Sequence, residues 1–119
     1  MTTMIAGLIA CTLAAPPVEP PKVPKWWVTK TAQLESSNND KAVGDFVNGV
    51  PRSRGLYQVQ KSPWIAFGGK QPWEKWAHDP AESRRVAGRI LAACKRHVER
   101  HGRKVNFESV RKTYRCGGY

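Results

Sequence analysis

The chain has 119 residues and a formal net charge of +11, with 20 Lys and Arg against 9 Asp and Glu. Two terminal stretches are not core-forming, which leaves roughly 90 residues, enough for one compact core and too few for two. A field of that sign concentrates anionic polymers: nucleic acid, an anionic membrane face, or a bacterial wall with its acidic peptides. Charge alone does not choose among them, because each attraction weakens with salt. Eleven of the twenty basic residues fall within 84–115.

Residues 4–15 form an uncharged, mostly apolar run of twelve. It is too short to cross a bilayer and has the length of a signal-peptide core ending in small residues. No basic residue precedes it, and Pro16 follows Ala15 directly, which suits cleavage poorly. Leu8-Ile9-Ala10-Cys11 also looks like a lipobox, in which Cys11 would carry lipid. An export signal is the reading favoured for residues 1–15. Residues 16–25 hold five of the nine prolines and read as an extended linker, so the domain proper is expected over 26–119.

Residues 26–36 read as a helix, with Trp27, Thr31 and Leu34 on one face and Glu35 at its edge near the end. Trp26 and Trp27 are expected to pack rather than to stack on a ligand. Residues 38–60 are punctuated by Gly44, Asn48-Gly49 and Pro51, which predicts an antiparallel hairpin or three short strands. Ser62 and Pro63 mark a helix start, Gly68-Gly69 its end, and Pro72 opens a further turn carrying Trp73 and Trp76. Those tryptophans either fill the core or line a groove; core filling is favoured for so small a domain.

The clearest helix is predicted over 79–102. Asp79 caps it, Pro80 takes the first position, and Glu82 stands where a capping box needs it. Val86, Ile90, Cys94 and Val98 form its apolar stripe, with Ala87 and Leu91 beside them. His97 and His101 lie four apart, yet no third ligand stands at motif spacing, so no metal and no cofactor are expected. A last short helix is predicted over 106–113, capped by Asn106, with Phe107 and Val110 inward. Cys94 and Cys116 are either bonded in an oxidising compartment or remain a buried and an exposed thiol.

One stretch carries a more specific pattern. Glu35-Ser36 is followed by Asn38-Asn39, then Ala42-Val43-Gly44, then Ser53-x-Gly55-Leu56-x-Gln58. In order and polarity these blocks resemble the lysozyme-like domain of soluble lytic transglycosylases and goose-type lysozymes, especially small phage and secretion-associated members. The resemblance extends over about 26–118, and its specific part is 35–58. It implies an α+β, mainly α, lysozyme-like fold whose small antiparallel sheet lines a substrate groove. It implies cleavage of the β-1,4 bond between N-acetylmuramic acid and N-acetylglucosamine, with Glu35 as general acid and base. Ser36, Ser53, Gly55, Tyr57, Gln58 and Tyr114 are the matching candidates for substrate contact. The family's aromatic-Asn-x-Gly motif is represented by Tyr114 and Gly117-Gly118, with Arg115 and Cys116 where Asn is expected.

A proton donor for a glycosidic oxygen needs a raised pKa, hence a dry setting, for which Leu34, Val43, Leu56, Tyr57 and Val59 are the candidate walls. A conventional glycosidase needs a second carboxylate. Asp79 is better read as a cap and Asp40 as a turn residue, which leaves Asp45. Without a clear partner the family's one-carboxylate route to a 1,6-anhydro sugar is preferred over hydrolysis. The expected partner is the glycan strand of peptidoglycan, met by a monomer that is exported or carried in a phage or secretion assembly. No phosphate loop or nucleic-acid signature is present. The reading from another class is a non-catalytic cationic domain that adheres to wall or DNA.

Overall fold

The computed structural model describes residues 22–117 and residue 119. The export-signal reading of 1–15, Cys11, most of the proline-rich linker and Gly118 lie outside the described residues. The architecture is α+β and mainly helical, with a small three-stranded antiparallel sheet. In chain order the elements are α1 (Lys25–Ser36), β1 (Val43–Gly44), β2 (Ser53–Arg54), β3 (Val59–Gln60), α2 (Lys61–Ala66), α3 (Trp73–Trp76), α4 (Pro80–Arg100) and α5 (Phe107–Cys116).

Helix α4 is the axis of the core. Val86, Ile90, Cys94 and Val98, with Ala87 and Leu91, are all essentially inaccessible, as the four-residue spacing predicts. Asp79 accepts from the Glu82 N–H at 2.8 Å, and Pro80 opens the helix. The capping box is not closed by Glu82, however. Its carboxylate accepts instead from the Lys70 N–H at 2.8 Å and pairs with Arg85 at 2.6 Å. A reciprocal box does form at α5, where Asn106 accepts from the Ser109 N–H and the Ser109 hydroxyl accepts from the Asn106 N–H. That helix runs three residues beyond the predicted end, to Cys116, and Gly117 stops it at φ 73°. The extension places Tyr114 on a helix rather than in a tail.

One further expectation needs correction. Ser62 does not cap α2: the helix begins at Lys61, with Gln60 as its flanking residue and no side-chain cap. Trp26 packs as expected, though at the surface: it is 58% exposed, with its ring against Phe107 at 5.3 Å between centroids. The remaining tryptophans do pack inward. Trp64, Trp73 and Trp27 are buried, and the Trp64 and Trp73 indoles donate to the Lys70 and Val59 carbonyls. An indole can be buried at little cost only when its N–H finds such an acceptor.

The sheet is ordered β1-β2-β3, with Gly44 opposite Ser53 and Arg54 opposite Val59. Asn48 and Gly49, at φ 52° and 78°, turn the tip of the first hairpin, and Val47 and Val50 exchange both backbone hydrogen bonds across it. Gly55 has the strictest requirement. Its φ is +82°, and a Cβ there would lie 1.8 Å from the Ala77 carbonyl oxygen. Gly55, a candidate for substrate contact, thus makes its close backbone approach to the corner between α3 and α4.

Cys94 and Cys116 are both free thiols, one buried in the core and one exposed. Burial pushes the Cys94 thiol up to about 12, which keeps it protonated and unreactive.

Candidate functional site

Helix α1 buries Trp27 and Val28, then Thr31 and Ala32. The next step of that stripe, one helical turn on, is Glu35. At about 100° per residue the inward face passes through 28, 31, 32 and 35 and leaves Leu34 outside. Leu34 is accordingly 45% exposed, against the expectation that it shares the face of Trp27 and Thr31. The Glu35 side chain is only 14% exposed. Thr31 can be buried beneath it because its hydroxyl donates to the Trp27 carbonyl at 2.7 Å.

The helix ends immediately after Glu35. Ser37 and Asn38 take left-handed conformations at φ 56° and 61°. The Ser36 hydroxyl donates to the Ala32 carbonyl and accepts from the Asn39 N–H, so it shapes this turn. Both interactions close the turn that directly follows Glu35.

Helix α5 supplies the surroundings. Arg111 Nη2 lies 3.3 Å from Glu35 Oε2, a long contact between two largely covered groups. The Arg111 Nε, also buried, has no hydrogen-bond partner. One turn on, the Tyr114 hydroxyl donates to the Tyr57 carbonyl at 2.6 Å and so ties α5 to the turn between β2 and β3. Burial, reinforced by the negative charge of Glu35, holds the Tyr114 phenol well above its ordinary pKa. Glu35, Arg111 and Tyr114 thus form one cluster at the junction of the two helices and the sheet. Two of the five residues expected to wall Glu35, Leu34 and Val43, are exposed; Leu56, Tyr57 and Val59 pack in or against the core, and a guanidinium faces the carboxylate.

The remaining candidates behave differently. Ser53 is fully buried, and its hydroxyl donates to Gln58 Oε1 at 2.8 Å. Gln58 Nε2 donates to the carbonyls of Gly55 and Ala42, at 2.9 and 3.2 Å. Its side chain therefore clamps the sheet from within, and a Cβ on Gly44 would meet it at 2.6 Å. The backbone pays for this with φ 51° at Gln58. Asp45 is exposed at φ 53°, on the hairpin, and forms no hydrogen bond or ion pair among the described residues. Asp79 is engaged as a helix cap, and the Asp40 carbonyl contacts His78 Nδ1 at 2.7 Å.

Arg111 is absent from the sequence-derived candidates. The signal for it was periodicity: on a helix running to Cys116, positions 107, 110, 111 and 114 share a face. A groove of about 650 Å³ runs along the α1–α5 seam and meets this cluster through Arg111 alone: it is lined by Lys30, Leu34, Phe107, Glu108, Arg111, Lys112, Arg115 and Cys116, and neither Glu35 nor Tyr114 is among its walls. A second, of about 670 Å³, lies between the hairpin and α2–α3, with Val50, Arg54, Ile65 and Trp73 among its walls. The His97 and His101 rings stack at 4.2 Å between centroids, and no metal-holding group of three or more His, Cys, Asp or Glu occurs among the described residues. No described helix is long and apolar enough to cross a membrane.

Comparison of the chain with family models, with curated proteins and with solved structures finds no match in any of the three.

Proposed function

We propose that this protein is a lysozyme-like enzyme that cleaves the β-1,4 bond between N-acetylmuramic acid and N-acetylglucosamine in peptidoglycan. The observation that carries the reading is Glu35: a largely covered carboxylate at the last turn of α1, beside the half-buried Tyr114, which is hydrogen-bonded to the Ser53–Gln58 turn. The order of the sequence blocks over 35–58 supports the family reading, and the position of Glu35 at the edge of the core supports its role as proton donor. The backbone at Gln58 supports the reading: unlike the turn residues Ser37, Asn38, Asp45 and Asn48, whose positive φ serves a helix end or a hairpin, Gln58 holds φ 51° while its side chain clamps the sheet beside Tyr57. Such conformations persist where the surrounding structure holds a site in place.

The chemistry follows from the carboxylates at hand. Glu35 gives its proton to the leaving glycosidic oxygen once Arg111 has moved off its Oε2. Asp45, exposed on the hairpin, makes no contact that would hold it as a partner at fixed distance. The one-carboxylate route fits this set better: the substrate's N-acetyl group assists departure, and Glu35 then takes the proton of the 6-hydroxyl. The product is a 1,6-anhydro sugar, and no water is consumed. Hydrolysis by the same acid is the alternative outcome. Neither route uses a cofactor or metal. The substrate lies in the bacterial wall, reached by export or from within a phage or secretion assembly.

A non-catalytic cationic binder is the second reading, favoured by one observation: Lys30, Arg111, Lys112 and Arg115 all line the α1–α5 groove. Mass spectrometry of digests of purified peptidoglycan separates the cases. Anhydro ends identify a transglycosylase and reducing ends a lysozyme. Glu35→Gln is expected to abolish release of fragments with the circular dichroism spectrum unchanged. Release at the parental rate by that variant ends the assignment of Glu35, and binding without fragments from the parent favours the cationic binder.

A further inference from the structure

We infer that the α1–α5 groove is a binding site for a short acidic peptide, namely the peptide stem carried by the muramic sugar; this rests on the proposed wall substrate. Three features of the groove select that occupant. Lys30, Lys112 and Arg115 are exposed and form no ion pair among the described residues, so their charge is free to meet carboxylates. Leu34 and the Phe107 ring form an apolar floor, with the exposed Trp26 ring tilted against Phe107 beside it. A chain of small side chains with spaced carboxylates covers such a floor while reaching the cations.

Glu108 is the third feature. It is exposed on the same groove with no ion pair. A continuous polyanion such as a nucleic acid strand is repelled there, whereas a peptide that also carries an amine gains a partner. Arg111 links the groove to the carboxylate chemistry. It lines the groove, contacts Glu35 only at 3.3 Å, and has a further buried donor without an acceptor. A peptide carboxylate arriving in the groove offers Arg111 a second acceptor, and its shift toward the peptide uncovers Glu35 Oε2 for the sugar.

The test uses Glu35→Gln, which under the proposed function holds strands without cutting them. It is titrated calorimetrically, at low salt, with a soluble glycan fragment bearing its peptides and with the same fragment stripped by an amidase. The peptide-bearing fragment is expected to bind about tenfold tighter, the worth of one or two charge-assisted contacts. Adding Lys112→Gln and Arg115→Gln, both at exposed positions, is expected to bring that ratio close to one. Equal affinities before the added substitutions overturn the inference, as does a ratio that survives them. A single-stranded oligonucleotide is the third probe: if the two substitutions weaken it as much as the peptide-bearing fragment, the groove is a general polyanion patch and the peptide assignment falls. Cleavage by the unsubstituted protein is scored separately. The affinity ratio without cleavage retains the groove and removes the enzyme, and cleavage without the ratio does the reverse.

Discussion

At residue 55 the backbone leaves no room for any side chain. Gly55→Ala combines a left-handed φ with a Cβ driven into the Ala77 carbonyl, and is expected to cost about 2–4 kcal/mol in urea unfolding. A cost below 1 kcal/mol would mean that the α3–α4 corner yields. Glu82 offers a pH-dependent case. Its hydrogen bonds to Arg85, opposed by burial and helped by the Lys70 N–H, hold its carboxyl below the ordinary glutamate value of about 4.5. A depressed folded pKa contributes stability that is complete above about pH 4.5 and is lost as pH falls through the folded value. The melting temperature is therefore expected to drop in acid, and Glu82→Gln to be less stable at neutral pH with a flatter acid limb. The sequence showed Glu82 as a candidate box residue but not its true partners. Lys70 stands twelve residues away, and that distance is closed by tertiary packing alone. Glu35 shows the opposite lesson: its burial follows from the step of four beyond 27, 28, 31 and 32, and was obscured by assigning Leu34 to the stripe.

Element boundaries were legible where local chemistry sets them. Asp79-Pro80 opened α4, the stripe of Val86, Ile90, Cys94 and Val98 was buried as spaced, and Asn106 capped α5. Asn106→Ala is expected to destabilise the fold by about 1 kcal/mol, read from chemical denaturation, because it leaves the Ser109 N–H without its cap. The end of α5 was not legible, since Thr113-Tyr114-Arg115-Cys116 contains no breaker before Gly117 and the family motif suggested a tail. The site inherits that difference: one extra helical turn carries Tyr114 to the Tyr57 carbonyl. In the sheet, turn residues announced the strands, yet nothing local announced that Gln58 would spend its amide on Gly55 and Ala42 rather than on a ligand.

For the molecule as a whole, the Tyr114 hydroxyl joins α5 to the sheet at the carbonyl of the buried Tyr57. Burial raises Tyr57, with Arg84 opposing, and burial with Glu35 beside it raises Tyr114 further. A raised phenol favours its neutral form, so the folded state keeps its full stability below about pH 10 and loses it as pH climbs through the folded values. Alkaline unfolding is expected to begin near pH 10, and Tyr114→Phe to move its onset upward while weakening the fold at neutral pH. An onset unmoved by that substitution would locate the alkaline sensitivity elsewhere.

The contact between Gly55 and Ala77 has a mechanical consequence. With a carbonyl occupying the space of a missing methyl, the three strands are clasped to the helical body, and Gln58 rivets them internally. Under the proposed function, a glycan strand reaching Glu35 is therefore expected to find its clearance in the outer reach of the hairpin beyond Gly44 or in reorientation of the Arg111 side chain, rather than in displacement of the clasped strands.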